Sequence, residues 1–535
     1  MMCIRAMSTA PLLGCVVWLG TGPVLAQTPT QTPTQQENVE VIMSPREKGA
    51  PSRVRDFFRS VKQRIGKVTG QVLPFTKCEK WSVPKANLEA VRKEAAKRGV
   101  VVTELGTDWN RIMRLAPADT KLDERQRAMI ELAKGAKATT AVKLMAGPPP
   151  AILEHALMKD ANDPAASRDA GKITVALGDN TTKTIIRTSV DLKPDMCIWR
   201  GTVEETGALV TLMWWPSGRM AGTVQERGRI YSIRHVGGPI YAMIEMSGER
   251  MPQEHAPMPA RLRSDDPNAR DDPLINQGDA SLLRPVTLGM RTSPAPGLKP
   301  QQQPVVAPAV ASGAADIVID VIIAYTKKAA ANYTDIKSEL IDLSIEEGNE
   351  AFRRSGLGNI KFRLVHAYQT DYVEEGAAHF DHVWRFADKG DGYMDEIHGL
   401  RDKYRADVGV LVVDDPQGCG LATRVFADAD EAFAVVHHNC AALTYTVAHE
   451  IGHLIGARHD PAMDKIMSPF PYGHGYVNGT KWRDIMSYKE SCDGCPRMPV
   501  WSSPKVLIKG EPAGTPQQDN ARVIAEQAAR VAAFR

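Results

Sequence analysis

Residues 446–460 read TVAHEIGHLIGARHD, and the rest of the chain is best understood as a scaffold that presents this stretch. His449 and His453 stand four residues apart, so a helix over 445–454 projects both imidazoles from one face toward one point. Gly456 lets the backbone leave that helix, because a positive φ is cheap only without a Cβ. The bend then carries His459 round as a third ligand. Three neutral imidazoles suit zinc, and three protein ligands leave a fourth coordination position for water, which marks a catalytic rather than a structural ion. Glu450 is poorly placed for the ion itself but well placed for that water. It is expected to act as general base and then as proton donor to the leaving amine. Two histidines at helical spacing often arise by accident; the glycine and third histidine at their required positions add two further constraints.

Downstream, Asp484-Ile485-Met486-Ser487-Tyr488 resembles the Met-turn that runs beneath the zinc in metzincin peptidases. Asp460, directly after the third histidine, resembles the reprolysin (adamalysin) branch. The segments YGHGY, DIMSY and CPRMP are similar to bacterial members that include the peptidyl-Asp metalloendopeptidases. The resemblance spans residues 316–535 and implies a zinc-dependent endopeptidase acting on protein or peptide, with Met486 supporting the site from below and Gly456 and Asp460 shaping it. Tyr488 departs from adamalysins, which usually carry proline there, and resembles the astacin and serralysin arrangement. That implies a tyrosine stabilising the tetrahedral intermediate, against the plainer reading of a ring packed under the site. The peptidyl-Asp likeness implies cleavage before acidic residues, which needs a cation in the pocket. Arg497 is the candidate, with an ordinary surface arginine as the alternative.

A chain of 535 residues exceeds one ordinary core, so two or three domains are expected. The net charge of +3 does not indicate a nucleic-acid partner, and 43% apolar with 24% charged residues describes a globular protein. Beyond the N-terminus no apolar run is long enough for a membrane span, so no stable membrane association is expected apart from the signal. Residues 1–26 read as an export signal: Arg5 supplies the positive end, 11–19 the apolar centre and Val24-Leu25-Ala26 the cleavage site. Leu12-Leu13-Gly14-Cys15 resembles a lipoprotein box, but the apolar stretch before it is short. A secreted or periplasmic location follows, where disulfides form. Of Cys78, Cys197, Cys419, Cys440, Cys492 and Cys495, the last four allow three connectivities, and Cys419–Cys440 with Cys492–Cys495 is favoured. Cys492-Asp493-Gly494-Cys495 would otherwise be half a zinc knuckle, yet no second C-x-x-C accompanies it. Calcium is not indicated.

Residues 27–49, rich in Thr, Gln and Pro, are expected to be a flexible leader, and 50–170 mostly helical. Within the latter, 54–68 make a basic amphipathic helix that either docks on its own protein or meets a membrane surface. Residues 85–105 read as helix then strand. Residues 171–249 change to short β-branched and aromatic runs between turns, an antiparallel meander. With Trp199-Arg200-Gly201 this part resembles the pro-regions of secreted bacterial metallopeptidases, implying an intramolecular inhibitor or folding aid. Cys197, in Pro194-Asp195-Met196-Cys197, resembles the cysteine with which reprolysin pro-regions occupy the zinc. A disulfide with Cys78 and a buried thiol are its other readings.

A Pro-rich linker over 250–315 leads to an α/β metzincin domain at 316–535. Strands at 317–326, 360–366 and 408–413, alternating with helices at 333–355 and 393–404, predict a twisted, mostly parallel sheet backed by helices. A strand at 432–437 precedes the histidine helix. The resemblance makes it the exposed edge that pairs with substrate through Phe433, Ala434, Val435 and Val436. Residues 519–535 are expected to pack back as a helix. The competing reading is a zinc hydrolase of a small amide or cell-wall peptide, with 27–249 a retained binding module.

Overall fold

The computed structural model describes residues 37–45, 57, 69–73, 75–159, 171–177, 181–226, 228–254, 315–377 and 379–535. The expected signal at 1–26, the linker beyond 254 and the basic helix at 54–68, Phe57 apart, lie outside these residues. Phe57 itself is buried against Trp81. Among the described residues no helix is long and apolar enough to cross a membrane.

The expected flexible leader is corrected at its end. Asn38–Pro45 is a strand, paired on one side with Glu79–Pro84 and on the other with Val100–Glu104. Its alternating Val39, Val41 and Met43 pack into one core with Leu88, Val91 and Ala95 of helix Leu88–Lys97. The helical expectation for 50–170 is corrected too. Helices Leu88–Lys97, Glu124–Gly135 and Pro150–Met158 alternate there with strands that include Arg111–Leu115 and Thr139–Ala146. Those two join the meander and close it into a barrel of nine strands, with Leu209–Trp214 at one end of the order and its neighbour Cys197–Val203 at the other.

Strand alternation gives this barrel two buried faces. Cys197, Trp199, Leu212 and Trp214 point inward to the barrel core, while Met196, Ile198, Met213 and Ala221 join the core of the C-terminal unit. Salt links line the same junction. Arg200 reaches Glu346 at 3.2 Å and Glu350 at 3.3 Å, Arg219 reaches Asp335 at 2.6 Å, and Thr223 donates to Glu347 at 2.7 Å. Burial between the units pushes the Glu347 carboxyl up to about 7.

The C-terminal unit is a five-stranded sheet in the order Ile360–Gln369, Ile317–Tyr325, Val408–Val413, Phe433–His437, Gly420–Ala422. The first four strands run parallel and the last antiparallel. Val408, Val410 and Val412 face one layer, built from Asp342–Arg354, Thr446–Ile455 and Asn520–Val531; Leu411 and Val413 face another, built from His379–Ala387 and Glu396–Tyr404. Helix His379–Ala387 was not anticipated from the sequence.

The position of Phe433–His437 is the main correction. It lies inside the sheet with both flanks paired, and Phe433, Ala434, Val435 and Val436 are fully buried, so none of them is available to a substrate. The edge on this side of the sheet is Gly420–Ala422, three buried residues whose brevity leaves no periodic signature. Both favoured disulfides are formed, and Cys419–Cys440 ties this edge to the chain just after the interior strand.

Candidate metal centre and active site

Helix Thr446–Ile455 is buried at every position, packed under the sheet and against Asn520–Val531. It ends at Gly456, whose φ of 132° is open to glycine, and a Cβ there would meet Phe470 at 2.8 Å. The chain then turns so that the Nε2 atoms of His449, His453 and His459 lie 2.9, 3.0 and 3.1 Å apart. Ligands at about 2.0–2.1 Å on one tetrahedral ion would stand about 3.3 Å apart. The spacing therefore fits one small cation.

Hydrogen bonding strengthens that fit. His449 Nδ1 lies 2.9 Å from the Ile485 carbonyl and His453 Nδ1 2.9 Å from the Ala457 carbonyl. A carbonyl only accepts, so each Nδ1 carries the proton and each Nε2 turns a lone pair toward the common centre. Lone pairs converging without a donor repel unless a cation lies among them. Burial also drives the rings to the neutral form: His449 is pushed down to about 3, and His453 and His459 fall well below the ordinary imidazole value. These are the properties of a zinc-binding triad.

The segment beneath is held by carboxylates. Asp460 accepts from the Tyr488 N–H at 3.0 Å and the Ser491 hydroxyl at 2.8 Å, which ties the third histidine to the turn below. Asp484 accepts from Ser487 at 2.6 Å and from the Ser502 N–H at 3.0 Å. Met486 is fully buried under the helix, where a Cβ on Gly452 would meet its sulfur at 3.2 Å. The Tyr488 ring stands 4.4 Å from that of His459, edge to face.

Glu450 is buried beside the sheet edge and accepts a hydrogen bond from the Ala422 backbone. A Cβ on Gly420 would lie 2.4 Å from Glu450 Oε1 and 2.6 Å from the Thr446 methyl, so any larger residue there would displace this carboxylate. Burial raises the Glu450 carboxyl well above its ordinary range, the charge of Glu254 adds to the rise, and Arg497 opposes it. Gly420 and Ala422 are site residues that the sequence reading missed. The only signal was the pairing of Cys419 with Cys440, which places the stretch without revealing its role.

Two expectations change. Cys197 lies in the barrel core with its sulfur 3.7 Å from Met158 Sδ, on the inward face of a strand whose opposite face meets the catalytic unit. It is therefore not a ligand held over the histidines. Nor is it bonded to Cys78: both are free, buried thiols. Arg497 is not a surface arginine. It is 5% exposed and donates to the carbonyls of Thr444 at 2.9 Å and Ser487 at 3.0 Å.

A second cluster, Asp414 with His437 and His438, has ligand-like spacing. However, His437 Nδ1 accepts from the Asn439 N–H, which leaves the proton on Nε2 facing Asp414. That pair is satisfied by hydrogen bonding.

A helix with its acid, a bend with the third imidazole and a methionine turn below define a metallopeptidase. Residues 316–502 match the metallo-peptidase family M12 in its reprolysin group, and the chain belongs to this family as a metzincin-like zinc metalloendopeptidase. It is 36% identical over 319 residues to a peptidyl-Asp metalloendopeptidase of Xanthomonas campestris, covering 59% of this chain and 67% of that one. One of the same description from Stenotrophomonas maltophilia is 35% identical, over 59% of this chain and 68% of the relative. Another, from Pseudomonas fragi, is 34% identical over 35% of this chain and its own full length.

Proposed function

We propose that the chain is an exported zinc endopeptidase, made as a precursor, that cuts peptide bonds before acidic residues and before aspartate first. The observation that carries the reading is the convergence of three imidazole Nε2 atoms beside a buried glutamate at a sheet edge. His449, His453 and His459 would hold the ion. When bound, zinc supplies a Lewis acid that polarises the scissile carbonyl and makes a water nucleophilic near neutral pH. Glu450 receives the proton of that water at its carboxylate and returns it to the leaving nitrogen. The main chain of 420–422 offers the N–H and C=O groups that grip an extended peptide without reading its side chains. Export is supported by the signal-like residues 1–26 and by two disulfides. A precursor is supported by the barrel buried against the catalytic unit.

Tyr488 completes the arrangement. Burial raises its phenol well above the ordinary value, so it stays protonated and can donate to the oxyanion of the tetrahedral intermediate. Tyr488→Phe is expected to lower turnover by about 10²-fold, as loss of one such donor does, with zinc content unchanged. Equal turnover would reduce Tyr488 to packing.

Aspartate preference is supported by the names of the relatives and by the buried Arg497. A digest of unfolded casein, with the new N-termini sequenced, tests the whole reading: most should begin with aspartate. Termini spread evenly over residue types would sink the acidic preference, and an intact casein would favour a small-amide hydrolase.

A further inference from the structure

The N-terminal unit does not end at the barrel wall. After strand Ile240–Ser247 and a short turn, residues 251–254 enter the groove beside the sheet edge. Lys489 donates to the carbonyls of Glu249 at 3.0 Å and Met251 at 3.4 Å. The Cys419 N–H, one residue before the edge strand, donates to the Gln253 carbonyl at 2.8 Å. The last of these is a single main-chain bond of the kind an extended peptide makes beside a sheet edge.

The next side chain, Glu254, ends on Arg497 in a salt bridge. Arg497 belongs to the catalytic unit, and Glu254 is the one carboxylate paired with it among the described residues. The arginine's Nε and the other Glu254 oxygen are buried without a hydrogen-bond partner, so neither group is saturated by its surroundings. Beside the pair lies a cavity of about 290 Å³, bounded on the catalytic side by Arg483, Lys489 and Arg497. Arg497 donates to the Ser487 carbonyl, one residue before Tyr488, so the salt bridge lies beside the turn that runs under the histidines.

A guanidinium this deeply buried is costly unless an anion meets it. The catalytic unit holds Arg497 by the carbonyls of Thr444 and Ser487, which orient it without neutralising it. The neutralising charge comes from outside the unit. We propose that Arg497 is the cation that selects an acidic side chain in the substrate, and that Glu254 is its built-in occupant, closing the groove as a surrogate for that side chain. The proposal rests on the reading of the enzyme as an acid-directed endopeptidase. The carbonyl of Gln253, which precedes the surrogate residue, is engaged by the Cys419 N–H. The segment is thereby held as an inhibitor.

Two quenched peptides, identical except for Asp or Asn after the scissile bond, provide the test on the full chain in its most active form. The parent should prefer the Asp peptide in kcat/KM, and Arg497→Gln should collapse that ratio by at least about tenfold, a shift of about 1.4 kcal/mol. Arg497→Lys keeps the charge and should keep most of the preference. On the intact chain, with the N-terminal unit shown by mass to be attached, Glu254→Gln should raise the rate on the Asp peptide at least about tenfold. If Arg497→Gln does not fold, this second measurement carries the test alone. A parent with no Asp preference overturns the acid-directed reading and this proposal together. A parent that prefers Asp overturns the proposal alone if Arg497→Gln keeps the ratio or if Glu254→Gln leaves the intact chain's rate unchanged.

Discussion

Glu450→Gln is expected to abolish proteolysis by about four orders of magnitude or more while the protein keeps its metal and its fold. The side chain is asked for two proton transfers, one from water and one to the leaving nitrogen, and each contributes about 10²–10⁴-fold. Glutamine keeps the volume under Gly420 and an oxygen for the Ala422 N–H, so the contacts that shape the site remain. It removes the basicity alone. The checks are zinc content by atomic absorption, a thermal midpoint within a degree or two of the parent, and kcat on a peptide substrate. Activity within tenfold of the parent would assign proton transfer elsewhere. Glu450→Ala should be equally inactive but less stable, because it leaves a void beside the edge strand and an unpaired backbone N–H.

Loss of the metal is the second large effect. Chelation should extinguish activity, and added zinc should restore it. It should also lower the thermal midpoint, because an ion that binds only the folded state stabilises it by mass action. Converging lone pairs with nothing between them should sharpen that fall. His453→Ala removes one of three ligands and should weaken zinc binding by more than the about 10–100-fold typical of losing an outer-shell partner. Its midpoint should then no longer respond to chelator. A variant that still binds zinc stoichiometrically and still shifts on chelation would show that His453 is not a ligand.

Much of the catalytic unit was legible because its signals are local. Four residues along a helix bring His449 and His453 to one face, and glycine at 456 permits one specific bend. Strands such as Val408–Val413 are continuous apolar runs, because helices cover both faces of a parallel sheet. Elsewhere the local signal misled. The run at 38–45 ends a Thr-, Gln- and Pro-rich stretch that reads as leader, yet Val39, Val41 and Met43 turn to one core and Ile42 to another. Cys197 resembled a metal ligand by its neighbours in sequence. A strand turns alternate side chains to opposite faces, and its turn is inward.

By itself, then, the sequence determined the class of chemistry: which atoms converge, on what kind of ion, and which acid stands beside them. These depend on helical spacing and one bend, over a few residues. Tertiary structure alone decided which strand is the edge beside the site, where Arg497 points, and that Glu254, some 240 residues earlier, is its partner. Edge and interior strands share the same pleat and differ only in who lies alongside. A salt bridge between distant residues leaves no periodicity in either segment. Both properties come into being when the chain has closed on itself.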